Sequence, residues 1–389
     1  MNYDQYLNPV AVDIKPSGIR KFFDISSTMD NVISLGVGEP DFLTPWHIRT
    51  AGIVSLEDGK TRYTANKGTI ELRREISSFM KRKYGLQYSP EDEVLITVGG
   101  SEAIDLAVRA LIRPGDEVLI PQPSFVCYEP IVRLAGGIPV FIDLTADNGF
   151  VLTAKQIEEK VTGNTKAIIL PYPGNPTGAI MTRDQLAAIK DVIIKNDLMV
   201  ISDEIYAELT YSQEGHVSVA SIDGLKERTV VISGLSKTYS MTGWRIGFAC
   251  GPKEIMGVMT KIHQFAIMCA PTTAQYAAVE ALKNGDHDID KMKQEYNARR
   301  RLIVNGFNKI GLKCFEPLGA FYIFPSIKST GLSSDEFCEK LLFSKKVAVV
   351  PGSAFGTSGE GFIRVSYCYS VEHIKKALSR IEEFIKEIK

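Results

Sequence analysis

The apolar residues of the chain fall into short, evenly spaced runs. From residue 94 onward seven follow one another, at 94–98, 117–121, 139–144, 166–172, 198–204, 229–235 and 245–251. Each has the length of a strand and little polar alternation, the pattern expected where both faces are covered. Most are separated by segments with helical periodicity: 101–112, 124–135, 154–160 and 183–195. Strand and helix in alternation predict βαβ units, an α/β fold built on a mostly parallel seven-stranded sheet flanked by helices. The runs at 229 and 245 leave no room for a helix between them, so one of these strands is expected to run antiparallel.

The flanks read differently. A short amphipathic pattern over 17–30, before apolar Val32, Ile33 and Leu35, predicts a covering arm and a small strand, and a helix is expected from about Ile70 to Tyr84. Beyond the last run, helices are expected over 253–268, after Pro271 and over the strongly charged stretch 288–310. Three short strands then fall within 319–327, 347–356 and 361–368, around helices at 334–344 and 371–388, which reads as a smaller α+β domain. The expected division is a large domain at 41–287 and a small one made of 1–40 with 288–389.

Composition narrows the partners. With 389 residues the chain is long for a single core, and its 44% apolar and 23% charged fractions are ordinary globular values. A formal net charge of -1 leaves no electrostatic footprint for nucleic acid or an anionic membrane, so small molecules are the expected partners. The six cysteines are scattered without a C-x-x-C pair, and read as reduced core residues. No run approaches the roughly 18 apolar residues of a membrane span, and the start lacks a basic segment followed by an apolar one, so a cytoplasmic location is expected.

Ligands of open α/β sheets sit beyond the carboxyl ends of the strands, so the residues that follow each run carry the candidate chemistry. After Val98 come Gly99, Gly100, Ser101 and Glu102, opening an amphipathic helix whose N–H groups and dipole suit an anion. Phe125 follows the second run and could present a flat face to an aromatic ring, or simply pack in the core. After Ile169 comes N-P-T-G at 175–178, a turn whose Asn175 can donate inward. Asp203, Glu204 and Tyr206 follow the 198 run, where a buried acid needs a partner or shifts its pKa; Asp203 could equally cap a helix. Earlier, GVGEPDF at 36–42 lets backbone approach a ligand at Gly36 and Gly38, without the third glycine of a dinucleotide fingerprint.

The segment VISGLSKTYSMTGWRIG at 231–247 ties these together. An apolar strand ends near Gly234, Ser236 sets a hydroxyl beside Lys237, and Arg245 follows with a fork suited to phosphate. A fixed, partly desolvated lysine next to a phosphate clamp suggests pyridoxal phosphate, whose aldehyde condenses with such an amine. Near the other end, Arg364 lies between apolar Phe362, Ile363 and Val365, so an inward charge needs an anion, either from a structural salt bridge or from a ligand.

In this order, the glycine/serine turn, the aromatic, N-P-T-G, D-E-x-Y, S-K-x-x-x-x-x-G-W-R and G-x-x-R-x-S resemble the fold-type I, class I/II pyridoxal-phosphate aminotransferases. Strings such as SDEIYAELTY and GAFYIFPSIKS are most similar to the bacterial aspartate, aromatic and N-acetyl-diaminopimelate aminotransferase subgroup. The resemblance implies transfer of an amino group from an L-amino acid to a 2-oxoacid such as 2-oxoglutarate, in two half-reactions. It implies that Lys237 is the catalytic amine, that Asp203 binds the ring nitrogen, and that Tyr206 and Asn175 contact the phenolic oxygen. Gly100, Ser101, Glu102, Ser236 and Arg245 would lie on the cofactor side, Phe125 on its ring, and Arg364 with Gly38 and Asn175 on the substrate. Tyr63, in a matching Y-x-x-x-x-G segment, would reach the phosphate of a partner subunit in a homodimer. Gly234 stands where some members have serine, with Ser236 as the substitute. A β-lyase would use the same lysine and cofactor, and a pyridoxal-phosphate-binding regulator is a further alternative without a DNA-binding module to support it.

Overall fold

Strand β1 (Ile33–Ser34) stands apart, and the seven apolar runs become β2 (Val94–Thr97), β3 (Glu117–Gln122), β4 (Ile138–Asp143), β5 (Thr165–Leu170), β6 (Met199–Asp203), β7 (Thr229–Gly234) and β8 (Gly247–Cys250). The computed structural model describes residues 1, 3–16, 18–19 and 29–388, so most of the expected arm at 17–30 lies outside the described residues. The seven form one sheet in the order β2-β8-β7-β6-β5-β3-β4. β8 alone runs opposite to the other six strands, which identifies the strand that the short lysine loop turns back.

Both faces of the sheet are covered, as the unbroken apolar runs require. Val230 and Ile232 pack on one side with Ile104, Val108 and Ile201, while Val231 packs on the other with Ile96, Phe248 and Leu72. Each such side chain, fully withdrawn from water, contributes about 1.5–3 kcal/mol of transfer free energy.

Helix ends follow local chemistry. The helix Ile70–Tyr84 begins where the Thr69 side chain accepts from Leu72 N–H, and ends where Gly85 takes a φ of 71°. Thr182 and Gln185 form a capping box for Arg183–Lys195. The helix expected over 124–135 is shorter, Tyr128–Leu134. Ser124 N–H donates instead to Phe355 O at 3.0 Å, which holds the segment bearing Phe125 as a loop.

The remaining strands are β9 (Tyr322–Ile323), β10 (Val347–Ala348), β11 (Val350–Pro351) and β12 (Ile363–Ser366). They form an antiparallel sheet β11-β12-β9 and a parallel pair β1-β10 that joins Ile33 to Val347 across the chain. A second core, with Leu35, Phe307, Phe321, Phe337, Ile381 and Phe384, packs these strands against helices Asp286–Ile310, Ser334–Lys345 and Val371–Ile388. Among the described residues no helix is long and apolar enough to cross a membrane.

Candidate active site

Strands β2, β3, β5, β6 and β7 run in one direction, and β8 in the other, so five carboxyl ends and one amino end meet at the same edge. That edge brings together Gly100 and Ser101 after β2, Phe125 after β3, Asn175 after β5, Asp203 at the end of β6, Ser236 and Lys237 after β7, and Arg245 before β8. With Gly38, Tyr206, Tyr322 and Arg364 they line one cavity of about 300 Å³. Glu102 and Tyr63 do not line it. The Glu102 carboxylate is engaged by Val98 N–H and by His263 Nδ1 at 2.7 Å. Tyr63 is 81% exposed.

Lys237 sits on a single turn of helix, Leu235–Thr238, directly after β7. Its Nζ donates to Gly38 O at 2.7 Å. Burial disfavours the ammonium and pulls its pKa down from 10.5 to about 8.

Asp203 is buried, and its carboxylate accepts from Tyr128 Oη at 2.7 Å and Ile205 N–H at 3.2 Å. It pairs with no lysine or arginine among the described residues. Burial pushes its pKa up, opposed by these two hydrogen bonds. The adjacent Glu204 has the opposite surroundings: Oε1 accepts from Ser202, Ser218 and Val219 N–H, and Oε2 meets His216 Nε2 at 2.8 Å. Glu204 is a structural acid.

Arg364, in β12, is 2% exposed. It donates from Nη1 to Asn175 Oδ1 at 3.0 Å and from Nη2 to Gly36 O at 2.6 Å, while its Nε has no acceptor. Tyr322 and Phe355 cover the guanidinium at 4.5 and 4.9 Å. No carboxylate pairs with it among the described residues.

At the far end, Arg245 adopts a φ of 56° and donates from Nη1 to Thr242 O at 3.1 Å. Gly99 has a φ of 78°, and a Cβ there would lie 2.4 Å from Arg245 Nη2, so only glycine lets the guanidinium approach the start of helix Gly99–Leu111. The cation, the helix dipole and the Ser101 and Ser236 side chains converge on one anion cradle.

Two lining tyrosines were not singled out from the sequence. Tyr128, three positions after Phe125, opens the helix Tyr128–Leu134, and its hydroxyl holds Asp203. Tyr322, in GAFYIF, contacts Tyr206 through the hydroxyls at 2.9 Å. Nothing local to either segment specifies a partner so far along the chain.

A buried acid without a cation, a buried guanidinium without an anion, a desolvated amine and an anion cradle around one cavity define an enzyme that works on ligands supplying the missing charges. The family described as aminotransferase class I and II matches residues 30–381. The chain is 55% identical over 380 residues to the YugH protein of Bacillus subtilis (strain 168), covering 98% of each. It is 44% identical over 378 residues to the aspartate aminotransferase of Pyrococcus abyssi, covering 97% of each. Among solved structures, the aromatic aminotransferase of Pyrococcus horikoshii OT3 superposes with a TM-score of 0.90 at 42% identity, covering 94% of this chain and 99% of that one. The chain belongs to the class I and II aminotransferases and is a transaminase of fold type I, a family that uses pyridoxal 5'-phosphate.

The residues present fit that cofactor. Asp203 can face a protonated ring nitrogen, the cradle of Gly100, Ser101, Ser236 and Arg245 can take the phosphate, and Phe125 can lie along the ring.

Proposed function

We propose that the enzyme moves an amino group from aspartate, an aromatic amino acid or a related L-amino acid to a 2-oxoacid such as 2-oxoglutarate, by a ping-pong mechanism. The observation that carries this reading is the lone desolvated Lys237 amine in a cavity that also holds uncompensated Asp203 and Arg364. When bound, pyridoxal phosphate supplies an aldehyde carbon for the amino group and a ring that accepts electrons from the substrate α-carbon. Lys237 Nζ takes the substrate α-proton, and its lowered pKa keeps part of the population unprotonated near neutral pH. Asp203 keeps a ring nitrogen protonated, with Tyr128 fixing the carboxylate. Tyr206 and Asn175 donate to a phenolic oxygen. Arg364 grips the substrate carboxylate in a bidentate pair, next to the backbone of Gly38.

We also propose a homodimer in the cytoplasm. Leu43, Trp46, Leu56, Tyr63 and Phe265 are exposed by 77, 65, 55, 81 and 87%, and Asn66 Nδ2, three positions after Tyr63, donates to Met268 O at 2.9 Å, three positions after Phe265. An apolar surface of this kind favours a protein partner. Tyr63 in this reading reaches the partner's phosphate cradle. The six free cysteines suit a reducing compartment.

The test is a panel of aspartate, tyrosine, phenylalanine and alanine, each mixed with loaded enzyme in a single turnover without an oxoacid. Loss of the visible absorbance with release of the matching 2-oxoacid, and parallel double-reciprocal lines at steady state, are expected. Release of ammonia in proportion to turnover would sink the reading.

A further inference from the structure

Tyr322 meets three parts of the site at once. Its ring covers the Arg364 guanidinium at 4.5 Å. Its hydroxyl fills the space above Gly38, where a Cβ would lie only 1.9 Å away, and Gly38 O is the acceptor of Lys237 Nζ. The same hydroxyl lies 2.9 Å from Tyr206 Oη. Register fixes the side chain, since Tyr322 pairs with Ser366 and its neighbour Ile323 with Val365, on the strand that carries Arg364.

From this geometry we infer that Tyr322 is a positioning residue that acts through Tyr206, donating its hydroxyl proton to Tyr206 Oη so that the Tyr206 proton is aimed into the cavity. The inference rests on the proposal that Tyr206 donates to the phenolic oxygen of the cofactor. Without a ligand, either hydroxyl can be the donor in the pair. With an acceptor opposite Tyr206, a single arrangement satisfies every group: Tyr322 donates to Tyr206, and Tyr206 donates to the ligand. A chain of two hydroxyls polarises its last donor, which strengthens the final bond. No proton changes owner, since each hydroxyl rotates about its C–O bond.

The groups around Tyr206 are few. Tyr322 on β9, Arg364 on β12 and Cys368 just beyond β12 face it, and Lys237, Asp203 and Tyr128 share the cavity or its wall. Both phenols are held protonated by burial, so the relay keeps its protons through the working pH range.

A donor on the phenolic oxygen stabilises negative charge there, and so lowers the pH at which the loaded enzyme changes its visible absorbance. Spectral pH titrations of the parent, Tyr206→Phe, Tyr322→Phe and the double variant test the relay. Tyr322→Phe keeps the ring over Arg364 and is expected to raise the spectral midpoint by about 0.5 unit, with a KM for the amino donor within about twofold of the parent. Tyr206→Phe is expected to raise it further, and Tyr322→Phe to add nothing in the Tyr206→Phe background. If Tyr206→Phe leaves the midpoint unmoved, the Tyr206 reading fails and the relay with it. If Tyr206→Phe moves it and Tyr322→Phe does not, or moves it equally with Tyr206 absent, the relay alone is overturned. Loss of several degrees of melting temperature or of cofactor binding in Tyr322→Phe also overturns it, because Tyr322 is then a structural residue.

Discussion

Arg299 and Arg364 are both buried arginines, and they lead opposite lives. Arg299, on the long helix Asp286–Ile310, is saturated from within the chain: Nη1 reaches both oxygens of Asp41 at 2.8 Å and Nε meets Glu295 at 3.1 Å. Its neighbour Arg300 pairs with Glu316 at 2.8 Å. In the cavity, Arg364 has neutral acceptors only and an idle Nε. The acids repeat the contrast, with Glu204 closed in its network and Asp203 facing open space without a cation. Ionic groups whose partners are internal hold the fold, and those left incomplete are the ones we propose to meet charges that arrive with a ligand.

Substitution separates the two regions, and the largest effect is expected at Lys237. Lys237→Ala should lower turnover by about 10,000-fold or more and remove the absorbance band that depends on the bond between the lysine and the cofactor, leaving that of the unlinked aldehyde. Circular dichroism should be unchanged, because no internal ion pair is lost.

The two arginines sharpen the contrast next. Arg364→Met is expected to reduce kcat/KM for the amino donor roughly 1,000-fold, equivalent to about 4 kcal/mol, without lowering the stability of the ligand-free protein. Arg299→Met should do the reverse, costing about 2–3 kcal/mol of stability in urea unfolding while the folded enzyme keeps its turnover. A loss of stability at Arg364 matching that at Arg299 would erase the distinction.

A smaller effect comes from pH. Lys237 has its folded-state pKa pulled down to about 8 from 10.5, so folding disfavours its charged form. The penalty is fully present below pH 8 and disappears as pH rises toward 10.5. Lys237→Met should therefore melt a few degrees higher than the parent at pH 7 in ligand-free protein, with the gap closing by pH 10.5. A gap that does not change with pH contradicts the burial penalty.

Much of this architecture was legible in the chain because burial leaves a direct mark. The seven strands appear as apolar runs since both faces of the sheet are covered, and helices 70–84 and 183–195 carry threonine caps at their starts. Asp203 and Arg364 stood out because charged side chains beside such runs need partners, whereas Lys237 and Asn175 stood out through the turns that carry them and the family those turns resemble. What local pattern could not supply was distance in sequence. Tyr128 reaches Asp203 across 75 positions, and Tyr206 reaches Tyr322 across 116. Glu102 stands in the first turn of the helix that opens the anion site, yet its carboxylate turns to Val98 N–H and His263, a contact made by the helix Lys253–Ala266 packing alongside. The shortened helix at Tyr128–Leu134 has the same origin, since the acceptor of Ser124 N–H is Phe355, far along the chain.

The sharpest test sits in two adjacent residues of one strand end. Asp203→Asn and Glu204→Gln each remove a single charge, and their melting temperatures can be compared in ligand-free protein at pH 7. Burial raises the Asp203 pKa, so its ionised form weakens the fold above the ordinary carboxylate range, and Asp203→Asn should melt at or above the parent. Glu204→Gln should melt several degrees lower, because its amide cannot accept all the donors converging on it. A fall at Asp203 as large as that at Glu204 would mean that the cavity acid is already paired within the chain, and would contradict a site whose missing charges arrive with the ligand.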